Sequence, residues 1–159
     1  MRVFVSGASG FIGSVLVQEL RARGFAICAS IDGAEVVVHL ANIAHARASM
    51  PDLRRVNVDG TMRAAEDAVR AGVRRFVYLS SAKAIAPDDE YGRAKLEAER
   101  ALSRVGEIET VVLRPPLVYG PNVKANFLAL LRAVDRGWPL PLASVANRRS
   151  LVCHHFSTK

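Results

Sequence analysis

Tyr91 and Lys95 stand four positions apart in Tyr91-Gly92-Arg93-Ala94-Lys95. On a helix that spacing puts both side chains on one face, one turn apart. A phenol titrates at about pH 10 and is a poor base in neutral water. A neighbouring ammonium favours its ionised form. Such a pair can move a proton on or off a substrate hydroxyl. Ser80 and Ser81 follow the apolar run Arg75-Phe76-Val77-Tyr78-Leu79, and a serine hydroxyl at the end of a strand can orient the same oxygen. Tyr and Lys at this spacing are also common on solvated helix faces, so the pair needs a second observation beside it.

That observation lies at the start of the chain, in Ser6-Gly7-Ala8-Ser9-Gly10-Phe11-Ile12-Gly13. The loop falls between a β-branched run and an amphipathic one. Gly7 allows a sharp turn out of a strand, Gly10 lets the backbone approach a pyrophosphate, and Gly13 lets a helix pack close to a sheet. Phe11 and Ile12 open that helix, whose N-terminus presents N–H groups and a dipole to an anion. A dinucleotide is the ligand this pattern fits. A cationic nicotinamide beside Tyr91 would further favour its phenolate, with the proton moving as hydride moves. The residue that reads the adenosine ribose should be acidic and about 20 residues on. Asp32 is the candidate, although Asp32-Gly33-Ala34 also reads as a turn into the next strand. NAD against NADP stays open.

These residues require a scaffold that brings them to one edge. Arg2–Ser6 reads as a buried strand, and Phe11–Arg23 carries Ile12, Val15, Leu16 and Leu20 at helical spacing, stopped by Gly24. Phe25–Ala29 and Glu35–Leu40 read as strands, the second apolar enough to be covered on both faces. Met50–Ala71 predicts a helical region and Arg74–Ser80 a strand. Glu90–Val105 predicts a helix, with Asp88 and Asp89 offering N-cap oxygens. Glu109–Leu113 predicts a strand and Asn126–Arg136 a last helix. Pro115-Pro116 bars helix or ladder pairing at that point. Strands alternating with helices predict an α/β fold with a doubly wound parallel sheet. Its ligands bind beyond the strand C-termini, so the loops after Ser6, Leu40, Ser80 and Leu113 are expected to carry the site.

The chain has 159 residues, 22 basic and 15 acidic side chains, and a net charge of +7. Residues 111–159 hold seven of the basic and one of the acidic side chains, so the last third expects an anion. A nucleotide or phosphorylated small molecule fits better than nucleic acid, because no aromatic-studded basic stripe or helix-turn-helix pattern is present. Cys28 and Cys153 have no CxxC spacing and read as reduced thiols. His39, His45, His154 and His155 lack zinc-type spacing, so no metal is expected. No apolar run approaches the roughly 18–20 residues of a membrane span. The N-terminus lacks a signal-peptide pattern, which points to the cytoplasm.

Six pieces of the chain, in order, resemble the NAD-dependent epimerase/dehydratase group of the extended short-chain dehydrogenases/reductases, which acts on nucleotide sugars. They are Gly7–Gly13, Val38-His39-Leu40-Ala41, Asn57-Val58-Asp59-Gly60-Thr61, Phe76–Ser81, Tyr91–Lys95 and Leu113-Arg114-Pro115-Pro116-Leu117-Val118-Tyr119-Gly120-Pro121. The resemblance runs over about residues 1–152. It implies a Rossmann-like fold, NAD as cofactor with NADP possible, a nucleotide-sugar substrate and a homodimer. By the same resemblance Tyr91 is the general base and acid, and Lys95 holds the nicotinamide ribose and lowers the tyrosine pKa. Ser81 is the catalytic serine, with Ser80 beside it at the cofactor. Leu40, Ala41 and Pro115 would line the cofactor, and Asn57 would steady that region. Arg149 would grip the substrate diphosphate, and Asn126 would contact the nucleotide. Residues 1–121 would form the dinucleotide-binding domain, and residues 122–159 only the beginning of a substrate domain.

The departures from that family are as informative. Its 4,6-dehydratases place Asp-Glu directly after the catalytic serine or threonine, where this chain has Ala82-Lys83, which argues against water loss. A UDP-sugar 4-epimerase working by transient oxidation at C4 needs only Ser81, Tyr91, Lys95 and the cofactor. A reductase or dehydrogenase of the same family, or a non-catalytic dinucleotide-binding remnant, are the alternatives. Members of the family are longer. Five residues separate Ala29 from Glu35, fewer than the roughly dozen a parallel crossover needs. The chain is also shortened near residues 85–86, and it therefore reads as an incomplete copy of a longer protein.

Overall fold

The computed structural model describes residues 1–43, 49–121, 123, 125–140 and 150–154, with backbone alone at Met50, Ala125 and Asn126. Two compact units divide the chain, Met1–Pro115 and Pro116–Lys159. The break falls at the Pro115-Pro116 pair, ahead of the boundary after Pro121 read from the sequence.

In the first unit five strands form one parallel sheet: β1 (Arg2–Ser6), β2 (Ala26–Ile27), β3 (Val36–His39), β4 (Arg75–Leu79) and β5 (Glu109–Leu113), in the order β2-β1-β3-β4-β5. Side chains alternate across it with the period of two that a strand imposes. Val3, Val5 and Val36 face one layer, where they pack with Val17 of α1 (Phe11–Ala22). Val37, Phe76 and Tyr78 face the other. There they meet Ala65 and Ala68 of α3 (Gly60–Arg70) and Ala98 and Leu102 of α4 (Glu90–Leu102), all wholly buried. Each large apolar side chain buried this way contributes about 1.5–3 kcal/mol before entropy is counted. Helices on both faces of a parallel sheet make the fold a Rossmann-like doubly wound α/β sheet.

The long helical region read over Met50–Ala71 is present but not uniform. It begins as α2 (Met50–Arg54), loosens into one π-helical turn (Arg55–Asp59), and continues as α3. Ser49 caps α2 by accepting from the Asp52 N–H at 3.3 Å. The π turn brings Asn57 and Val58 inward.

The short connection between β2 and β3 does make a parallel crossover, contrary to the count of residues. Ile27 and Val36 are both in register with Val3, on opposite sides of it. The loop therefore has only to pass from one neighbour of β1 to the other at the same height, about 10 Å at two strand spacings. Eight residues suffice because β2 is itself only two residues long. The Cys28 N–H donates to Val3 O at 2.9 Å, a turn closes with Ala34 N–H on Ile31 O at 3.1 Å, and Glu35 N–H rejoins β1 at Arg2 O at 2.9 Å.

In the second unit, β6 (Leu117–Tyr119) pairs in parallel with β7 (Leu151–Cys153), and α5 (Ala125–Asp135) follows β6. Both strands escaped the sequence reading, because three residues are too few to show a period. Cys28 and Cys153 are free thiols. Among the described residues no helix is long and apolar enough to cross a membrane, and no cluster of His, Cys, Asp or Glu could hold a metal ion.

Candidate active site

The glycine loop is shaped by contacts that exclude side chains. Gly7 has φ +74°, and a Cβ there would stand 2.9 Å from the Ala41 amide nitrogen. A Cβ on Gly13 would stand 2.1 Å from the Gly7 carbonyl oxygen. The loop therefore folds flat under α1 and flush against Leu40 and Ala41, which leave β3. Gly10 caps α1 in an extended conformation, with no side-chain cap hydrogen bond and no acidic residue in the first turn. An α-helix start kept clear of carboxylates suits an anion. Gly7, Gly10, Phe11, Ile12, Gly13, Leu40 and Ala41 are thus brought together at the switch point between β1 and β3, where such sheets bind ligands. The pyrophosphate of a dinucleotide fits this cradle.

A buried polar chain sets the β3 side of the cradle. Ser6 Oγ lies 2.8 Å from His39 Nδ1, and His39 Nε2 lies 3.2 Å from Thr61 Oγ1. Thr61 donates its own proton to Asn57 O at 2.8 Å, so it accepts from the ring, and His39 carries its proton on Nε2. Nδ1 is then free to accept from Ser6. The Ser6 oxygen in turn accepts from the Leu40 and Ala41 amides at 3.2 and 3.4 Å. Burial lowers the His39 pKa to about 4, with the Lys95 charge acting in the same direction, so the ring is neutral. Asn57 is fully buried and binds both backbone groups of Ile43, accepting from N–H and donating to O at 2.8 Å each. It ties down the loop after β3 from inside the π turn.

At the C-terminal end of β4 lie the residues expected to transfer a proton. Asp89 caps α4 by accepting from the Gly92 N–H at 2.7 Å, and it pairs with Lys83. Tyr91 and Lys95 follow on one face. Lys95 is 1 % exposed, donates to Leu79 O at 2.8 Å, and sits 4.6 Å from the Tyr78 ring centre and 5.8 Å from that of Tyr91. Burial lowers its pKa to about 8, against the opposing pull of Glu99. Burial also pushes Tyr91 up to about 12, with the Asp89 charge adding to it. Burial and the Asp89 charge both act against the lowering of the phenol that the resemblance implies for Lys95.

The two serines have different fates. Ser80 is buried and donates to Glu99, while its N–H donates to Leu113 O at 2.7 Å. Its hydroxyl is therefore turned into the core rather than toward the ligand edge. Ser81 is half-buried, and its Oγ accepts from the Lys83 N–H at 3.3 Å, a bond that does not use the hydroxyl proton. Pro115 O accepts from the Ala82 N–H at 2.9 Å, which joins the loops after β4 and β5.

Asp32 is not brought to this site. It stands exposed in the turn that feeds the N-terminal end of β3, whereas the glycine loop follows the C-terminal end of β1. Arg149 and the Asn126 side chain lie outside the described residues. Sequence reasoning missed Glu99 and Arg114. Arg114 donates to Glu99 through Nε at 3.0 and 3.1 Å and through Nη2 at 2.5 Å. The signals were present: Glu99 is one helical turn beyond Lys95, and Arg114 directly precedes Pro115.

A glycine-cradled switch point, with Ser81, Tyr91 and Lys95 at the neighbouring strand end, defines a dinucleotide-dependent α/β protein of the short-chain dehydrogenase/reductase type. Comparison with known proteins makes this specific. The profile of the NAD dependent epimerase/dehydratase family matches residues 25–152. UDP-glucose 4-epimerase of Vibrio cholerae is 34 % identical over 206 residues, covering 94 % of this chain and 62 % of that protein. Ceramide reductase of Caulobacter vibrioides is 30 % identical over 94 % of this chain and 56 % of its own length. Among solved structures, MoeE5 in complex with UDP-glucose and NAD superposes with a TM-score of 0.79 at 30 % identity, covering 97 % of this chain and 68 % of that one. The chain belongs to the NAD-dependent epimerase/dehydratase family. It spans somewhat over half the length of these curated relatives. The 206-residue stretch matched to the Vibrio protein is longer than the chain itself, so that relative carries internal segments missing here.

Proposed function

We propose that this chain binds NAD in the Gly7–Gly13 cradle and acts on a UDP-sugar as a 4-epimerase. The observation that carries the reading is the seating of Tyr91 and Lys95. Both lie on one face of α4, with Lys95 bonded to the end of β4 beside Ser81. Bound NAD would supply the hydride acceptor and donor. Ser81 orients the C4 hydroxyl, and Tyr91 takes its proton as the carbon is oxidised. Tyr91 must be the phenolate to take that proton and becomes the neutral phenol in doing so. Lys95, when protonated, places beside it a positive charge that favours the phenolate before the transfer. For epimerisation the keto sugar would turn over in the site before its reduction, and Tyr91 would give the proton back to the C4 oxygen. Leu40, Ala41 and Pro115 would flank the cofactor, with Asn57 holding the loop after β3. Arg149 and Asn126 are the proposed substrate contacts.

Several features support the sugar reading over others. MoeE5 is a relative captured with a UDP-sugar and NAD, and the Vibrio relative is a 4-epimerase. No carboxylate follows Ser81. Ala82 and Lys83 stand there, and Asp89, the N-cap of α4, is occupied by Lys83 and the Gly92 amide. That disfavours dehydration. The same reading takes the protein as a homodimer through α4 and its neighbouring helix, by family analogy. It places the protein in the cytoplasm, in keeping with two free thiols. A reductase is the second reading, favoured by the likeness to ceramide reductase.

Incubation with NAD and UDP-galactose or UDP-glucose separates these readings. Interconversion of the two sugars without net NADH marks the epimerase, and net NADH turnover marks the reductase. Tyr91→Phe should lose about 10²–10⁴ of either rate while NAD binding, followed by calorimetry, is unchanged. Binding with no turnover in the parent chain would leave a dinucleotide-binding remnant, and no binding would overturn the reading altogether.

A further inference from the structure

We propose that Glu99 is the positioning residue of this site. Its carboxylate, clamped by Arg114 and Ser80, holds α4 against the ends of β4 and β5 and keeps a fixed negative charge one turn from the Lys95 ammonium. The inference rests on Tyr91 and Lys95 being the reactive pair, but its geometry stands by itself.

Glu99 is 7 % exposed, and each of its oxygens is engaged. Oε1 accepts from Ser80 and from Arg114 Nε, and Oε2 accepts from Arg114 Nε and Nη2. Ser80 adjoins Ser81 at the end of β4, and Arg114 adjoins Pro115 after β5. One carboxylate therefore ties three segments together: the helix bearing Tyr91 and Lys95, the serine strand end, and the loop proposed to line the cofactor. Planar guanidinium and carboxylate groups meeting edge to edge fix orientation as well as distance. Ser80 is the residue that the sequence placed at the cofactor, and this clamp explains why it faces inward instead.

The charge matters as much as the tether. Lys95 is enclosed by Tyr78 of β4, by Tyr91 and Glu99 of α4, and by the neutral ring of His39 on β3, which the Lys95 charge itself helps keep neutral. Among these, Glu99 is the one negative charge. Burial alone would drive the proton off Lys95, and Glu99 opposes that. Glu99 remains ionised despite its own burial because the hydrogen bonds from Arg114 and Ser80, and the charges of Arg114 and Lys95, hold its carboxyl below the usual range. Arg114 thus tempers the field that Glu99 presents to Lys95.

This arrangement predicts opposite effects from its two halves. The chain has four lysines, Lys83, Lys95, Lys124 and Lys159, so the Lys95 ammonium can be followed by NMR in the full chain labelled with ¹³C,¹⁵N-lysine and identified by its absence in Lys95→Arg. In Glu99→Gln the Lys95 midpoint should move down from about 8, by roughly one pH unit. In Arg114→Gln it should move up, because Glu99 loses its competing partner. Glu99→Asp, which keeps the charge but shortens the reach, should return the midpoint most of the way toward that of the parent chain. General loosening of the structure would instead raise the midpoint toward the ordinary lysine value in every variant. An unmoved or raised midpoint in Glu99→Gln overturns the proposal. The titration needs no turnover, so an inactive chain that shows these shifts would defeat the catalytic reading and leave the role of Glu99 standing.

Discussion

His39 is 4 % exposed, and its two ring nitrogens face hydroxyls on different elements, Ser6 on β1 and Thr61 on α3. Ser6 can donate to the ring only while Nδ1 is unprotonated, so the chain of bonds that ends on the Leu40 and Ala41 amides requires neutral His39. Its folded pKa is depressed to about 4 from 6.5. Between those values the unfolded chain binds the extra proton, so stability rises with pH through the window. It is complete above about pH 6.5 and lost as the pH falls toward 4. A depression of this size corresponds to about 3 kcal/mol. Urea unfolding at pH 7.5, 6.0 and 5.0 should show that slope, and His39→Gln should flatten it while lowering stability at every pH. Parallel slopes in the two proteins would assign the acid sensitivity elsewhere. Residues at this scale were unevenly legible in the sequence. Tyr91 and Lys95 are singled out by their spacing taken together with the glycine loop, whereas nothing in the sequence singles out the His39 network. Its members come from β1, β3, the π turn and α3, and only the fold juxtaposes them.

Elements were more legible than their edges. Every strand of the main sheet and every helix flanking it was visible from apolar period and from Gly or Asp punctuation, because those patterns follow local geometry. The π turn was not, since bringing Asn57 inward to bind Ile43 is a tertiary demand that breaks the helical period locally. Two elements carry sharp expectations. A methyl group at Gly13 must displace the Gly7 carbonyl that lies 2.1 Å from its Cβ position, and that atom is backbone. Gly13→Ala should therefore cost about 1–3 kcal/mol in urea unfolding and abolish NAD binding, because α1 lifts from the loop. Full NAD affinity in that variant would mean the close packing is not what shapes the cradle. At α4 the N-cap is the side chain of Asp89. Asp89→Ala should cost about 1 kcal/mol, and Asp89→Asn much less, since the amide oxygen still accepts from the Gly92 N–H.

At the scale of the whole molecule, the chain keeps one half of a dinucleotide fold and compresses the other. On the side of β3, β4 and β5 the strands are four or five residues long and deliver Ala41, Ser81 and Pro115 to the ligand edge. On the far side of β1 stands a two-residue strand, and eight residues return directly to β3. Where a full doubly wound sheet reads the adenosine ribose with an acid at the end of its second strand, this chain turns back, and Asp32 is carried toward the N-terminal end of β3. The glycine cradle proposed for the phosphates does not depend on that compressed half, because Gly7 packs on Ala41 and Gly13 on the Gly7 carbonyl. Affinity should accordingly reside in the nicotinamide and phosphate portion of the cofactor. In calorimetric titrations, nicotinamide mononucleotide and NAD should bind within about tenfold of each other, a difference under about 1.4 kcal/mol. AMP should fail to displace either at millimolar concentration. AMP competing as well as NAD would show that the compressed crossover builds an adenosine site of its own, and the half-fold account would then have to be abandoned.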